Sequence, residues 1–120
     1  MAVLGSLDHL RLGAGDVVAL VAAYRDTFGA VVVEDAAGRV RLRLADVDVI
    51  LERGEPAAGV VAAFRIADAE GFRDRLRTSA FEVERVEEIP GAVAITFRDP
   101  AGNRLQAIRW GGRVEDLVER

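Results

Sequence analysis

The feature that most constrains the fold is a pattern of secondary structure that occurs twice along the chain. Asp16 precedes apolar residues at helical spacing that end at Gly29, and Asp68 precedes a second such run carrying Phe72 and Leu76. An aspartate before a first turn accepts backbone N–H groups, and a glycine after a last turn adopts the left-handed conformation that ends a helix. One predicted strand precedes each helix and three follow it. The sequence therefore predicts a duplicated βαβββ unit, which is an α+β fold.

The strands are predicted where apolar and polar residues alternate between turn signals. The first runs from Leu7 to Leu12 and ends at Gly13. The others are predicted at Val31–Glu34, Arg39–Leu44, Val47–Glu52, Val60–Ile66, Phe81–Glu88, Ala92–Phe97 and Asn103–Trp110. We expect a single domain over residues 1–120, with module one at 5–54 and module two at 59–110. The tail, residues 111–120, is expected to form a short docked helix, to contact another subunit or to fray.

Alternation along the strands also assigns their side chains to two faces of a sheet. One face of each module is apolar and must pack against the helix. The opposite, open face carries most of the polar strand residues, among them His9, Arg11, Arg39, Arg41, Arg43, Asp48 and Glu52 in module one, and Arg65, Thr96 and Gln106 in module two. The open face of module two also carries Val61, Ile108 and Trp110. Candidate binding residues are therefore expected on the open faces.

The composition excludes several classes of function. The formal net charge of −4 argues against a nucleic-acid partner, because domains that neutralise phosphates carry an excess of basic residues. The sequence has no cysteine, so disulfides, thiolate metal sites and cysteine nucleophiles are excluded. No apolar run approaches the length of a membrane span, and residues 1–15 lack the pattern of a secretory leader. A cytoplasmic protein without a membrane partner is expected.

The repeat and three local motifs resemble the vicinal oxygen chelate superfamily. The motifs are Leu7-Asp8-His9-Leu10 in the first strand, Ile50-Leu51-Glu52 at the end of the fourth, and Phe97-Arg98-Asp99-Pro100-Ala101-Gly102-Asn103 before the last. Proline, glycine and asparagine suit the tight reversal that the third motif requires. The superfamily includes glyoxalase I, extradiol dioxygenases, fosfomycin-resistance enzymes and bleomycin-binding proteins. The resemblance covers nearly the whole chain and implies two curved half-barrels, with helices outside and a central cavity on the open faces.

The resemblance also implies where a metal ion would lie. The ligand positions of the family fall on His9 and Glu52 in module one, and on or beside Val61 and on Gln106 in module two. Valine cannot ligate, so His9, Glu52 and Gln106 supply three donors but only one negative charge, which is a weak set for zinc, nickel, manganese or iron. We therefore expect no metal cofactor, and His9 is expected to hydrogen-bond to Glu52.

Two classes of function follow. The first is a binding protein that sequesters an organic ligand, anionic or aromatic, in the manner of bleomycin-resistance proteins. Arg11 and Arg65 would hold an anionic group, Gln106 would be a polar anchor, and Ile108 and Trp110 would form an apolar wall. The second is a lyase, isomerase or dioxygenase that uses His9, Glu52 and Gln106, either with a divalent metal or by acid–base catalysis. By resemblance the protein is expected to be a homodimer.

Overall fold

The computed structural model describes residues 3–36, 38–59 and 61–117 and contains the two predicted modules. Module one comprises β1 (Leu10–Ala14), α1 (Val17–Phe28), β2 (Val31–Ala36), β3 (Arg39–Leu44) and β4 (Val47–Arg53). Module two comprises β5 (Ala62–Arg65), α2 (Ala69–Arg77), β6 (Glu82–Ile89), β7 (Ala92–Arg98) and β8 (Arg104–Trp110). The duplicated βαβββ order predicted from the sequence is confirmed.

The strands form two four-stranded mixed sheets with the same topology. The orders are β1-β4-β3-β2 and β5-β8-β7-β6. In each sheet the strand before the helix pairs in parallel with the last strand of its module, and the other pairs are antiparallel. Within the described ranges no strand pairing joins the two sheets, so the sheets are not closed into one barrel. β1 and β5 are therefore open edges.

Both helices begin where the sequence predicts, and α1 also ends where it predicts. Asp16 Oδ1 accepts a hydrogen bond from Ala19 N at 3.0 Å, and Gly29 ends α1 with φ of 68°. Asp68 Oδ1 accepts from Gly71 N at 3.0 Å at the start of α2. These contacts are local in sequence, which is why the pattern alone located both helices.

Most strand ends lie within one residue of the prediction, but β1, β2 and β5 differ by two or more, and β2 continues to Ala36 rather than ending at Glu34. β1 begins at Leu10 rather than Leu7 and continues through Gly13 to Ala14. Gly13 stays in the strand because it pairs with Glu52 of β4 and because both of its backbone polar groups bond to the side chain of Asn103. β5 covers only Ala62–Arg65, and Val60, where that strand was predicted to begin, lies outside the described residues.

One apolar core connects both modules. It includes Leu42 and Leu51 from module one and Ile95 and Leu105 from module two, all at most 2% exposed. Aromatic rings join the modules directly, since Tyr24 of α1 meets Phe81 edge to face with the ring centroids 5.1 Å apart. The two helices thus pack into a shared core, as expected for units that cannot cover their sheets alone.

A buried polar network also links the modules. The hydroxyl of Tyr24 donates to Asp99 Oδ2 at 2.9 Å, and Asn103 Nδ2 donates to the same carboxylate oxygen at 2.9 Å. Asn103 reaches into module one, where its Oδ1 accepts from Gly13 N at 3.3 Å and from Ala57 N at 2.7 Å. The predicted tight turn between β7 and β8 therefore also contacts module one.

The tyrosine in this network predicts a pH dependence of stability. Burial, and secondly the carboxylate of Asp99, raise the pKa of Tyr24 well above its usual value. Above pH 10 the unfolded chain releases the phenol proton while the folded protein retains it. The free energy of unfolding should therefore fall by about 1.4 kcal/mol per pH unit until the folded pKa is reached.

Urea unfolding at pH 8 to 11.5 measures this slope, and Tyr24→Phe should remove it. Because Tyr24 is the sole tyrosine, its phenolate absorbance reports the folded pKa without interference. Equal slopes in the wild type and Tyr24→Phe would contradict the prediction.

The tail contains a short 3-10 turn at Val114–Asp116, and residues 118–120 of the predicted tail helix lie outside the described residues. In the part of the chain that the structure describes, neither helix is long and apolar enough to cross a bilayer.

Candidate functional site

The open face of module one, here called the charged face, carries the polar residues of β1, β3 and β4 and the residues just before β1. Arg11 and Arg41 flank Ile50 in the strand register, and Ile50 is only 3% exposed although it lies on this open face. Long arginine stems cover apolar surface while their charged ends remain in water. The charged face is therefore a closely packed layer rather than an empty hollow.

His9 lies at the edge of this layer, immediately before β1. Its Nδ1 lies 2.7 Å from Asp8 Oδ2, and its Nε2 accepts a hydrogen bond from Nε of Arg11 at 3.2 Å. The two contacts assign the proton to Nδ1 and leave the Nε2 lone pair directed at a guanidinium. The imidazole is thus held from both sides.

Glu52 does not form the hydrogen bond to His9 that the sequence led us to expect. The guanidinium of Arg11 pairs with both residues instead, and its Nη1 lies 3.7 Å from Glu52 Oε1. Arg11 is in β1, two residues after His9, so strand alternation places both side chains on one face. A positive charge therefore lies between the two residues onto which the ligand positions of the family fall.

Asp48 organises the rest of the charged face. It accepts hydrogen bonds from Nε of Arg41 at 2.6 Å and from Nε of Arg43. The hydrogen bonds from Arg43 and then Arg41 lower the pKa of Asp48 to about 2. Arg41 also bonds to Asp8 Oδ2 at 3.2 Å, and the contacts of Asp8 with His9 and then Arg41 lower its pKa. The residue that orients His9 is thus tied to β3.

The open face of module two, here called the apolar face, has a different character. Gln106 lies on β8, and its Nε2 donates to Thr96 Oγ1 at 3.1 Å. Beside it are Ala94 and Ile108, which are 1% and 8% exposed, and Trp110 at the end of β8 is 50% exposed. A ring on this surface would find an apolar wall with one amide as a polar anchor.

The charged residues of module two lie around this wall. Glu84 pairs with Arg104 and Arg98, and the hydrogen bond from Arg104, more than that from Arg98, lowers the pKa of Glu84. Arg65 lies opposite Ile108 in the pairing of β5 with β8, so its exposed side chain leaves the sheet on the apolar face, where alternation placed it.

The structure therefore brings the predicted site residues together as two groups. His9, Arg11 and Glu52 form one group, and Gln106, Ile108 and Trp110 follow one another along β8. Within residues 3–36, 38–59 and 61–117, no hydrogen bond or ion pair joins the first group to the second. Each module of one chain thus carries one of the two groups.

The donor set fits a divalent metal poorly. In the described part of the chain, no three His, Cys, Asp or Glu side chains are grouped as metal ligands would be. The Nε2 lone pair of His9, which would bind an ion, accepts from Arg11, and the carboxylate of Glu52 faces the same guanidinium. A dication at this place would be repelled by Arg11 until that side chain moved away.

The sequence had not indicated that Asp8 belongs to the site. The alternation of Arg39, Arg41 and Arg43 did indicate that acidic partners lie nearby, since a row of cations on one sheet face is stabilised by neighbouring anions. The partner acid lies on a segment distant in sequence, and only the parallel pairing of β1 with β4 brings it close.

Several solved structures of other proteins are similar to this chain. Lactoylglutathione lyase from Agrobacterium tumefaciens is 22% identical with a TM-score of 0.73, over 90% of this chain and 96% of that one. The fosfomycin resistance protein FosX from Listeria monocytogenes, complexed with Mn(II) and sulfate, is 16% identical with a TM-score of 0.76, over 94% of each chain. A glyoxalase/bleomycin resistance protein/dioxygenase from Nocardioides is 20% identical with a TM-score of 0.74, over 95% of this chain and 90% of that one. No protein-family model matches the sequence, and neither does any curated protein.

Proposed function

The chain has the vicinal oxygen chelate fold, and on that premise we propose that it binds a small organic anion without a metal ion. The observation that carries the proposal is the position of Arg11 between His9 Nε2 at 3.2 Å and Glu52 Oε1 at 3.7 Å. In this account the guanidinium supplies the positive charge of the site. An arginine cannot lose its proton in the physiological range, so this charge is permanent.

Arg11 retains the capacity to bind a ligand. Its side chain is 58% exposed, and the contacts with His9 and Glu52 leave several of its five N–H donors free. A planar guanidinium recognises carboxylates and phosphates through paired, charge-assisted hydrogen bonds. A carboxylate, phosphonate or phenolate is therefore the ligand class that the charged face favours.

The apolar face supplies the other half of the site in this proposal. Ile108 and Trp110 suit an aromatic or aliphatic body, and the amide of Gln106 suits a polar substituent. Because the two walls are not joined within one chain, we propose that a homodimer closes the site. The charged face of one protomer would then lie opposite the apolar face of its partner, and such shared sites are compatible with two-fold symmetry.

A panel of aromatic carboxylates and arylphosphonates tests this function. At least one compound is expected to raise the melting temperature, since a ligand that binds only the folded state stabilises it. Trp110 is the sole tryptophan, so its fluorescence should change as the compound binds. Arg11→Gln should weaken that binding about tenfold through loss of the charged hydrogen bonds.

Arg39→Gln is the matched control, because Arg39 is an exposed arginine of the same face, outside the His9–Arg11–Glu52 group. If no compound binds, or if both variants bind equally well, the proposed function is wrong.

The alternative is a lyase, isomerase or dioxygenase that uses His9, Glu52 and Gln106 with a divalent metal or as acid and base. It is supported by the Mn(II) complex of FosX, which shares the fold. It requires Arg11 to leave the position it has between His9 and Glu52. Metal bound to the purified protein would distinguish the metal-dependent form of this alternative from the proposed function.

A further inference from the structure

The sole histidine of the chain, His9, ends a series of hydrogen bonds that begins at Asp48 of β4. Asp48 accepts from Nε of Arg41, and Nη2 of Arg41 donates to the Asp8 carboxylate at 3.2 Å and to the Asp8 carbonyl at 3.1 Å. Oδ2 of Asp8 in turn lies 2.7 Å from Nδ1 of His9. Asp8 is thus tied to β3 through both its side chain and its backbone, and the ring of His9 has an anchored partner at Nδ1.

Asp8 determines which nitrogen of His9 carries the proton. An ionised carboxylate only accepts hydrogen bonds, so the proton shared with Asp8 is on Nδ1. On the other side of the ring, Nε of Arg11 donates to Nε2 at 3.2 Å, which requires Nε2 to be an acceptor. Both neighbours therefore select the same tautomer, in which Nδ1 is the donor and Nε2 the acceptor.

An incoming acid meets the guanidinium of Arg11 on the side that faces His9. Glu52 Oε1 lies 3.7 Å from Nη1 of Arg11, so its negative charge repels a second anion at that end. The edge formed by Nε and Nη2 is bordered by the uncharged ring instead, and a carboxylate can bind both N–H groups of that edge at once. A carboxylate placed there takes the Nε–H group that now bonds to His9, and so releases the lone pair of Nε2.

The released lone pair adds a requirement to the ligand. The side chain of His9 is 23% exposed, and a largely buried acceptor left without a donor lowers the affinity for the ligand that displaced its partner. A ligand avoids this loss when it carries an N–H or O–H group beside its acid group, because that donor then reaches Nε2 next to the guanidinium.

We propose that the open-face site selects acids with a hydrogen-bond donor beside the acid group, and that Asp8 is the positioning residue that makes His9 the acceptor for this donor. The inference rests on the function proposed above and narrows its ligand class. It assigns the three side chains separate tasks, since Arg11 binds the acid, His9 binds the neighbouring donor and Asp8 fixes the tautomer.

Because His9 is the sole histidine, ¹⁵N NMR of the intact protein reads its tautomer without overlap. At pH 8.5, where an imidazole is ordinarily uncharged, we expect the proton on Nδ1. Asp8→Asn should move the proton toward Nε2, because an amide can donate to Nδ1 and a carboxylate cannot. Asp35→Asn is the matched control, since Asp35 is an exposed acid of β2 outside this series, and it should keep the wild-type tautomer. A proton on Nε2 in the wild type would overturn the proposal.

Calorimetric titration with anthranilate and para-aminobenzoate tests the ligand requirement. Both compounds carry an amine and a carboxylate on one ring, but only anthranilate places N–H groups beside the acid. We expect anthranilate to bind the wild type and Asp35→Asn about tenfold more tightly than para-aminobenzoate, and to lose most of this advantage in Asp8→Asn. A merely structural role of Asp8 would change both affinities and leave their ratio unchanged. Arg11→Gln should weaken both ligands, because it removes the charge that binds the acid in each.

The outcomes distinguish this inference from the function on which it rests. If both acids bind through Arg11 with equal affinity, the proposed function stands and the requirement for a donor is wrong. If neither acid binds, the proposed function and the inference are both wrong. An advantage of anthranilate that persists undiminished in Asp8→Asn would overturn the role of Asp8.

Discussion

The substitution Gly13→Ala is expected to lower the free energy of unfolding by about 3 kcal/mol, which is a large fraction of the stability of a domain this size. A Cβ added at Gly13 would lie 1.8 Å from the carbonyl oxygen of Glu55 and 2.8 Å from its carbon. Both are backbone atoms, so no side chain can rotate away to relieve the contact. β1 or the chain after β4 would have to shift, and Gly13 is also where Asn103 bonds to β1.

Gly15→Ala provides the matched control two residues later. A Cβ at Gly15 meets no atom within 4 Å, and its backbone has no left-handed φ. Alanine there should be neutral or stabilise by about 0.5 kcal/mol, because it restricts the unfolded chain. Urea unfolding of both variants measures the difference. Similar stability of the two would show that the close approach of Glu55 to β1 does not constrain the fold.

The substitution Asn103→Ala should destabilise the protein by about 4 kcal/mol. Asn103 is fully buried, and its side chain satisfies the N–H and C=O of Gly13 and the N–H of Ala57. Alanine would leave both backbone groups of Gly13 without partners in the interior, the exposed Ala57 N–H would lose its acceptor, and Asp99 would lose a donor. Each unsatisfied buried group costs about 1–3 kcal/mol, and the costs are only partly additive because the groups are neighbours.

Gln106→Ala is the control for Asn103, since Gln106 is a half-buried amide nearby on β8 with a single hydrogen bond, to Thr96. Its removal should cost about 1 kcal/mol. Equal destabilisation by the two substitutions, measured by urea unfolding, would mean that the contact between Asn103 and Gly13 contributes little to holding the modules together.

The fold was predictable because its signals are local and occur twice. Asp16 and Asp68 cap helices through atoms three residues away, and the alternation of β3 follows from neighbouring residues. The end of β1 was predicted wrongly because Asn103, 90 residues away, keeps Gly13 within the strand. No window of sequence around Gly13 contains that information.

The sequence predicts which sheet face carries each candidate site residue, but it does not predict which of these side chains contact one another. Alternation placed His9, Arg11 and Glu52 on one face, and the structure agrees. It could not say that Arg11 would lie between the other two, since Asp8 and Arg41 also compete for partners there. Alternation also placed Arg65 on the open face of module two, and its position opposite Ile108 in the strand register agrees.

The metal content of the purified protein tests the central claim, that the cation of the open-face site is Arg11. Cells would be grown with added zinc, nickel, manganese and iron, and bound metal would be counted per chain in the wild type and in Glu52→Ala. We expect far less than one ion per chain in both proteins. One ion per chain in the wild type that is lost in Glu52→Ala would contradict the claim and show that Glu52 belongs to a metal site.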